Sequence, residues 1–164
     1  ADDMSIKLWN WDQDWKNTRV PLLNSADTLD NEGHSHYVMQ VKFNPKDSNT
    51  FASCSLDNTI KVWGLNTASP YFSLNEHKMG VNCIDYSTAS DKPYLISGSD
   101  DKVFTMVISE HRQLDRDYQT KTCIQTLEGH TENVTSVLFH PKLPIIVTGG
   151  EDGTVRIWHS VTYK

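Results

Sequence analysis

The chain alternates apolar and polar residues in short stretches, and the clearest of these stretches follow an Asp turn. Three stretches share this form, with an Asp six residues before a Trp: 2–9, 56–63 and 151–158. In the last of them Val155 and Ile157 alternate with polar or aromatic neighbours after an Asp-Gly pair. A period of two is typical of a half-buried strand, and Asp-Gly is typical of a tight turn. Because the pattern recurs, it predicts a repeat protein.

A second pattern opens each repeat. His34, His77 and His130 are each followed by apolar or aromatic residues four, seven and nine positions later. These residues are Val38, Val41 and Phe43, then Val81, Ile84 and Tyr86, then Val134, Val137 and Phe139. All nine positions agree, so we predict a first strand after each His. In two repeats a Pro two residues after the aromatic ends that strand, because Pro has no N–H for the ladder.

The remaining strands of each repeat follow in order. A second strand is predicted at Thr50–Ser55, Tyr94–Ser99 and 145–149, between the first strand and the Asp turn. A third strand follows the turn, and a more exposed fourth strand fits 71–74 and 123–127. His34 and His77 are 43 residues apart, close to the ~40–45 residues of one propeller blade. Each repeat is therefore predicted to be a blade of four short antiparallel strands.

Two segments depart from the repeat. Residues 103–108 follow the turn residue Asp101 as a strand should, but Val107 occupies the place of the Trp. We expect an exposed insert at 110–116, because that run is polar and charged. The connection 17–31 accommodates one strand at 19–23 and otherwise has the composition of a loop.

The repeats assign residues 1–164 to one partial propeller. Residues 1–32 are the end of one blade plus a connection, and 33–75 form a blade. Residues 76–128 form a blade with an atypical insert at 103–116, and 129–164 form a blade that lacks its last strand. We predict an all-β fold of about three four-stranded antiparallel blades in an open arc. Because only a closed ring protects its edges, such an arc exposes blade faces at both ends.

The amino-acid composition argues against several classes of protein. A hydrophobic share of 37% supports a core and argues against disorder, and a net charge of -6 argues against a nucleic-acid partner. No apolar run approaches the ~18 residues that cross a membrane. Cys54, Cys83 and Cys123 are widely spaced without a Cys-x-x-Cys pair, so we expect buried reduced thiols rather than a metal site or disulfide framework. We expect no cofactor.

Each repeat also supplies one His, one Ser or Thr, one Asp and usually one Trp. The sets are His34, Ser53, Asp57 and Trp63; His77, Ser97 and Asp101 without a Trp; and His130, Thr148, Asp152 and Trp158. Ser, His and Asp together suggest nucleophilic catalysis, but no Gly-x-Ser-x-Gly elbow occurs and the set recurs in every repeat.

We therefore predict a structural role for these sets, and no enzyme activity. An indole N–H can donate to the hydroxyl, the hydroxyl can bond one His nitrogen, and the other His nitrogen can bond the Asp carboxylate. Such a chain would join the entry loop, second strand, turn and third strand of a blade. The middle set should be the weakest, because Val107 cannot donate to Ser97.

These features resemble the WD-repeat propeller family, whose hallmarks are an entry Gly-His, an aromatic-x-Pro strand end and an Asp six residues before a Trp. Longer runs are similar in particular to the coatomer beta-prime subunit family, in its amino-terminal propeller. The similar runs are 2–11, 33–41, 43–47, 91–94, 117–123 and 140–146. The resemblance implies a non-catalytic propeller whose face binds other proteins.

The resemblance also implies a cellular role and the residues behind it. The protein would be a cytoplasmic coat subunit, peripheral on Golgi and coated-vesicle membranes, and would reach the membrane only through the coat. Its partners would be other coat subunits and the lysine-bearing cytosolic tails of membrane cargo, recognised as dilysine signals during Golgi-to-endoplasmic-reticulum transport. In that family acidic residues on the propeller face receive the lysines; one of them corresponds to Asp2, and Asp100 holds the same blade position in the middle repeat. By the same resemblance Tyr37, three residues after His34, faces the same mouth. The alternative is a generic WD-repeat scaffold in another multiprotein complex.

Overall fold

The computed structural model describes residues 1–8, 33–67, 69–89, 94–111 and 119–162, and its regular structure is β-strand throughout. The strands are β1 (Val38–Phe43), β2 (Thr50–Ser55), β3 (Ile60–Gly64), β4 (Pro70–Leu74), β5 (Val81–Tyr86), β6 (Tyr94–Ser99), β7 (Val103–His111), β8 (Gln119–Glu128), β9 (Val134–Phe139), β10 (Ile145–Gly150) and β11 (Val155–His159). The predicted strand at 19–23, the end of the first Asp–Trp stretch at Trp9 and most of the predicted insert lie outside the described residues.

The strands form three antiparallel sheets in which neighbours in sequence are neighbours in space. The first sheet has the order β1-β2-β3-β4, the second β5-β6-β7-β8 and the third β9-β10-β11. Short connections make this order the natural one, because antiparallel neighbours can be joined by tight turns. Within the described residues the three sheets do not close into a ring, so the predicted all-β fold of antiparallel blades in an open arc is confirmed.

The turn between the second and third strand has the same backbone form in every repeat. The residue after the turn Asp has a positive φ in all four copies: 58° at Met4, 70° at Asn58, 71° at Lys102 and 74° at Gly153. Gly adopts this left-handed region without strain, whereas Met and Lys do not. Residues 1–5 therefore repeat the turn of a blade.

The predicted exposed insert at 110–116 begins as a strand. Glu110 and His111 belong to β7 and pair with Thr120 and Gln119 of β8. The polar sequence offers little apolar burial, but the hairpin ladder satisfies the backbone N–H and C=O groups of both strands. β7 thus runs past the strand predicted at 103–108 as far as His111, because polarity alone does not show whether a partner strand is present. The exposure predicted for 110–116 stays a prediction.

The core lies between the sheets. Strand residues alternate between two faces, so the second sheet packs one face on the first sheet and the other face on the third. The cluster between the first and second sheets contains Ala52, Cys54, Ile60, Val62, Phe72, Leu74, Val81, Ile84, Tyr86, Leu95 and Val107. The cluster between the second and third sheets contains Cys83, Ile96, Phe104, Met106, Leu127, Val134, Val137 and Ile146.

Polar side chains also connect the first strands of neighbouring sheets. Gln40 Oε1 accepts the Ile84 N–H at 2.7 Å, and Asn82 Nδ2 donates to the Val134 carbonyl at 3.1 Å. Asp85 lies 3.4 Å from Lys42 Nζ and accepts the backbone N–H of Phe139 at 2.9 Å. These contacts add hydrogen bonds and one ion pair between neighbouring sheets.

Candidate functional site

A buried chain of hydrogen bonds runs through the first sheet. His34 Nδ1 lies 2.8 Å from Asp57 Oδ2, and His34 Nε2 lies 2.7 Å from Ser53 Oγ. Trp63 Nε1 donates to the same hydroxyl at 2.8 Å. The Asp57 carboxylate also accepts the Ser35 N–H at 3.0 Å. The four side chains thus join the entry loop, β2, the turn and β3.

The third sheet contains the same arrangement. His130 Nδ1 lies 3.0 Å from Asp152 Oδ2, and its Nε2 lies 2.8 Å from Thr148 Oγ1. Trp158 Nε1 donates to that hydroxyl at 2.9 Å. A Thr hydroxyl therefore serves in the third sheet where a Ser serves in the first.

The second sheet lacks the Trp but has another hydrogen-bond partner for its Ser. His77 lies 3.0 Å from Asp101 Oδ2 and 2.8 Å from Ser97 Oγ, as in the other sheets. The hydroxyl of Thr105 lies 2.8 Å from Ser97 Oγ and 3.2 Å from His77 Nε2. Val107 is buried in the place of the Trp.

Sequence reasoning missed Thr105. The available signal was its position: Thr105 is the direct cross-strand partner of Ser97, where the other repeats carry Lys61 and Arg156. A hydroxyl facing a hydroxyl across two antiparallel strands can hydrogen-bond to it.

The turn carboxylates are held in their charged form. Burial of Asp57 by itself raises its pKa, but hydrogen bonds from His34, Thr59 and the Ser35 N–H outweigh burial and hold that pKa well below its usual range. Burial also raises the pKa of Asp101, but the hydrogen bond from His77 lowers it, and the pKa of Asp101 is lowered overall. For Asp152 the hydrogen bond from Thr154 is the largest cause that lowers the pKa.

The hydroxyls of these sets are not accessible to a substrate. Ser53, Ser97 and Thr148 are each buried, and every one of these oxygens already has a His partner and a second hydrogen-bond partner. A nucleophile must reach a reacting atom, and these oxygens lie inside the sheets. The arrangement can hold strands together, and it offers no open position for chemistry.

The residues implied by the family resemblance lie on one edge of the arc. Val38 N–H donates to the Ala1 carbonyl at 3.2 Å, and the Ala1 amino group bonds the Val38 carbonyl. This pairing places exposed Asp2 beside Tyr37, which is also exposed. The Tyr37 ring meets the ring of His36 edge-on at 4.7 Å.

Asp100 lies further along the same edge. Its backbone N–H donates to the Gly80 carbonyl at 2.9 Å, and its Oδ1 accepts from Asn82 Nδ2 at 2.7 Å. Leu56 lies between Tyr37 and Gly80: its N–H donates to the Tyr37 carbonyl at 3.0 Å. A Cβ on Gly80 would lie 2.7 Å from Leu56 Cδ2 and 3.2 Å from Asp100 Oδ2. The structure thus places Asp2 and Asp100 along one rim, separated by Leu56 and Gly80.

A third carboxylate continues this rim and was missed from the sequence. Glu151 precedes the turn residue Asp152, as Asp2 and Asp100 precede theirs, and it is exposed. Its N–H donates to the Asn133 carbonyl at 2.9 Å, which repeats the backbone bond of Asp100. We call Asp2, Tyr37, Asp100 and Glu151 the acidic rim. The sequence did contain a signal for Glu151. The residue that precedes the turn Asp is acidic in three of the four copies, and in the remaining copy it is Leu56.

Two further observations concern the described part of the chain. No group of three or more His, Cys, Asp or Glu side chains there is arranged to hold a metal ion. Within the same residues no helix is long and apolar enough to cross a membrane.

Comparison with known proteins gives a consistent result. The family model for the WD domain, G-beta repeat, matches residues 26–64, 68–105 and 121–159. The chain is 58% identical over 136 residues to coatomer subunit beta'-2 of Arabidopsis thaliana, which covers 83% of the chain and 13% of that protein. It is 56% identical over 156 residues to coatomer subunit beta' of Rattus norvegicus (95% of the chain, 15% of that protein). It is 50% identical over 133 residues to the probable coatomer subunit beta' of Schizosaccharomyces pombe (81% and 16%). The chain thus spans about one seventh of the length of these relatives.

Proposed function

The chain belongs to the WD40-repeat family, and from this premise we propose that it is a protein-binding propeller segment of a coatomer-type vesicle coat that recognises dilysine cargo tails. The similarity to coatomer beta' subunits of a plant, an animal and a yeast supports the assignment to a coat. The proposed setting is retrograde transport from the Golgi to the endoplasmic reticulum.

The observation that carries the proposal is the acidic rim. Exposed Asp2, half-buried Asp100 and exposed Tyr37 occupy the same edge of the arc. A lysine ammonium is a compact cation that pairs with carboxylates as a point charge. Because one exposed ion pair contributes only about 0–1 kcal/mol, several carboxylates at separate positions suit a tail with two lysines better than a tail with one.

One carboxylate of the acidic rim is already held in a fixed orientation. The Asp100 carboxylate is oriented by the 2.7 Å bond from Asn82, so little side-chain entropy remains to be lost when a lysine binds. Asp2 is placed by backbone pairing of its neighbour Ala1 with Val38 rather than by its own side chain. We therefore expect Asp100 to contribute more to affinity than Asp2.

The proposed partners and location follow from the same role. The protein would bind other coat subunits and the cytosolic tails of membrane cargo, and it would associate with Golgi and vesicle membranes through the coat. The net charge of -6 suits a cationic tail and opposes a nucleic-acid partner.

The test is isothermal titration of the chain with a dilysine tail peptide and with the same peptide carrying Ala in place of both lysines. Asp100→Asn and Asp2→Asn remove one charge each and keep the side-chain shape. We expect each to weaken dilysine binding up to about 5-fold, since about 1 kcal/mol corresponds to that factor.

Asp47→Asn is the matched control, because Asp47 lies in the β1–β2 connection, at the opposite end of β2 from the Asp57 turn. It should leave binding unchanged. Equal affinity for both peptides would reject cargo-tail recognition. Full affinity in both rim variants, with lysine dependence retained, would reject the residue assignment alone.

A generic WD-repeat scaffold is the second candidate. The observation that favours it is the exposure of Met39 and Met79, two flexible apolar side chains near the same edge as Tyr37 and Gly80. Exposed Met residues suit adaptable contacts with a protein surface that need no lysine. Affinity purification should then recover an unrelated complex and no coat subunits, and Met39→Ser and Met79→Ser should weaken recovery of that complex.

A further inference from the structure

A pocket opens between the second and third sheets, at the edge of the arc opposite the acidic rim. Tyr94 and Met106 of the second sheet and Phe139 of the third line its floor, and the β9–β10 connection, with Lys142 and Leu143, forms its outer wall. This connection lies at the other end of β10 from the Asp turn. The volume is about 420 Å³. We call the pocket lined by these five residues the seam pocket.

The floor of the seam pocket is apolar and continuous with the core. Met106 is buried in the cluster between the two sheets, and half-buried Tyr94 and Phe139 pack against that cluster. An apolar side chain placed here would be favourable, because it would remove apolar surface of both partners from water. Ligand sites usually measure ~300–1,000 Å³, so the pocket has room for a side chain of the size of Leu or Phe.

Hydrogen bonds hold the outer wall of the pocket in a fixed conformation. His140 Nδ1 accepts the backbone N–H groups of Lys142 and Leu143 at 3.1 and 2.9 Å. The Ser160 N–H donates to the Pro144 carbonyl at 2.8 Å. Because these bonds fix the connection, little loop entropy remains to be lost when a ligand binds.

Two further hydrogen bonds connect the loops at the border of the pocket. Thr88 Oγ1 donates to the Pro141 carbonyl at 3.3 Å, and Lys46 Nζ donates to the Thr88 carbonyl at 3.2 Å. Thr88 stands between Ser87 and Ala89, which both line the pocket. The bond to Thr88 therefore brings the ammonium group of Lys46 to the border of the pocket.

The seam pocket has the opposite charge to the whole chain. The chain carries a net charge of -6, yet among the described residues that line the pocket Lys142 is cationic and none has a carboxylate. The Nδ1 atom of His140 accepts two N–H groups, so Nε2 is the N–H donor of the neutral ring. Asp85, which accepts the Phe139 N–H, already pairs with Lys42. A carboxylate at the mouth of the pocket would therefore meet cationic and N–H groups.

We propose that the seam pocket binds a segment of another protein in which apolar side chains stand beside Asp or Glu. The apolar side chain enters between Tyr94 and Phe139, and the carboxylates pair with Lys142 and Lys46. Such a segment has the opposite charge to a dilysine tail and binds at the opposite edge of the arc. The inference thus goes beyond the proposed function and does not depend on cargo recognition.

The open shape of the pocket favours a peptide over a small apolar anion. Leu143 on the outer wall is 51% exposed, and Pro144 beside it is also exposed. Sites for small molecules usually bury most of the ligand surface, which an open groove does not do. A peptide gains additional contacts with the exposed wall on either side of its apolar anchor.

The experiment is fluorescence anisotropy of the full chain with three sets of labelled eight-residue peptides. The first set carries two apolar residues, drawn from Phe, Leu, Met and Trp, at its centre and Glu at the other positions. The second set has Ser in place of the apolar residues, and the third has Gln in place of Glu. We expect binding by members of the first set and none by the second. The third set should bind at least about 5-fold more weakly, because it loses the ion pairs with the lysines.

Matched variants locate the binding on the chain. Leu143→Asp places a carboxylate on the outer wall and should weaken binding of the first set at least about 10-fold. Leu138→Asp is the control, because Leu138 is also 51% exposed and does not line the pocket. Lys142→Met keeps the apolar stem and removes the charge, so it should weaken binding up to about 5-fold. Lys78→Met, at an exposed lysine outside the pocket, should leave binding unchanged.

Urea midpoints equal to that of the unchanged chain check that the Leu143→Asp and Lys142→Met chains are folded. Absence of binding by every peptide of the first set would overturn the proposal. Equal affinity for the Ser set, or equal effects of Leu143→Asp and Leu138→Asp, would do the same. Binding of oleate that Leu143→Asp weakens, with no peptide bound, would assign the pocket to a lipid anion and would also overturn the proposal.

Discussion

The hydroxyl of Thr105 lies 2.8 Å from that of Ser97, and this contact takes the place of an indole hydrogen bond in the second sheet. Trp63 and Trp158 supply that bond in the other two sheets. Thr105 approaches from the neighbouring strand position, while Val107 fills the space of the absent indole with an apolar side chain. The second sheet therefore keeps a complete polar network without its Trp.

Replacing Thr105 by Val removes this hydroxyl while keeping the side-chain shape. Ser97 then loses one of its two partners in a buried site, so we expect the free energy of unfolding to fall by about 0.5–1.5 kcal/mol. Urea denaturation followed by far-ultraviolet circular dichroism measures the change. Thr105→Ser should restore most of the loss, and Thr126→Val, at the exposed cross-strand partner, is the control. Equal stability of Thr105→Val and the unchanged chain would contradict the role of this hydroxyl.

Replacing Trp63 by Phe should destabilise the chain more than replacing Trp158 by Phe. Both changes delete an indole N–H that donates to a hydroxyl. Trp63 is buried and stacks on Phe51 at 6.3 Å, whereas Trp158 is half-exposed on the last sheet. We expect a loss of about 1–3 kcal/mol for Trp63→Phe and a smaller loss for Trp158→Phe, measured by the same denaturation assay. The opposite order would show that the indole of the last sheet carries more of the stability.

Stability should fall in acid because of the turn carboxylates. The pKa of Asp57 and that of Asp101 are held below their ordinary value in the folded chain, chiefly by His partners acting against burial. The folded state therefore binds protons at these groups less readily than the unfolded chain. Their contribution is fully present above about pH 4, the ordinary pKa of Asp, and is lost as the pH falls toward the folded values.

The measurement is the urea midpoint as a function of pH from neutral to acid. Asp57→Asn removes one of these carboxylates, so its stability should change less below pH ~4 than that of the unchanged chain. Asp47→Asn, which lies outside the hydrogen-bonded sets, serves as the comparison. If Asp57→Asn leaves the dependence of the urea midpoint on pH unchanged, the loss of stability in acid comes from other groups.

Two equivalent glycines should respond differently to a methyl group. Gly98 and Gly149 both stand three residues before a turn Asp. A Cβ on Gly98 would lie 2.6 Å from Val134 Cγ1 and 2.8 Å from Cys83 Sγ, whereas the nearest atom to a Cβ on Gly149 is 3.7 Å away. We expect Gly98→Ala to cost about 1–3 kcal/mol of unfolding free energy and Gly149→Ala to change it by less than about 0.5 kcal/mol. Equal effects would contradict the difference in free space between the two positions.

Relief of backbone strain should stabilise the turn of the second sheet. Lys102 has a φ of 71° at the position where the third sheet has Gly153. A residue with a Cβ is strained in this conformation and Gly is not, so Lys102→Gly should raise the unfolding free energy by about 0.5–1 kcal/mol. Gly153→Ala should lower it by a similar amount. No change in either variant would indicate that the turn relaxes to accept both residue types.

The sequence predicted the described strands well because their signals are local. The ranges of β2 and β6 agree with the prediction, and β10 extends one residue further to Gly150. Period-two alternation and turn residues act over a few neighbours, so they need no knowledge of distant contacts. β7 runs on to His111, beyond the strand predicted at 103–108, because a polar strand depends on whether another strand pairs with it.

The candidate site was predicted less completely, since its geometry joins residues far apart in the chain. Thr105 and His77 are 28 residues apart, and the hydroxyl of Thr105 is useful only because the hairpin brings it to Ser97. Glu151 was missed although it stands in the same position as Asp2 and Asp100. The roles of the acidic rim in binding lysines stay predictions.

By itself the sequence determined that the chain folds into repeated antiparallel blades with an Asp turn and an entry His, because alternation and turn chemistry are written in adjacent residues. Only the tertiary structure decided which hydroxyl replaces the absent Trp and how Leu56 and Gly80 separate Asp2 from Asp100. Hydrogen bonds and burial depend on distances between sheets, and those distances arise only when the sheets pack.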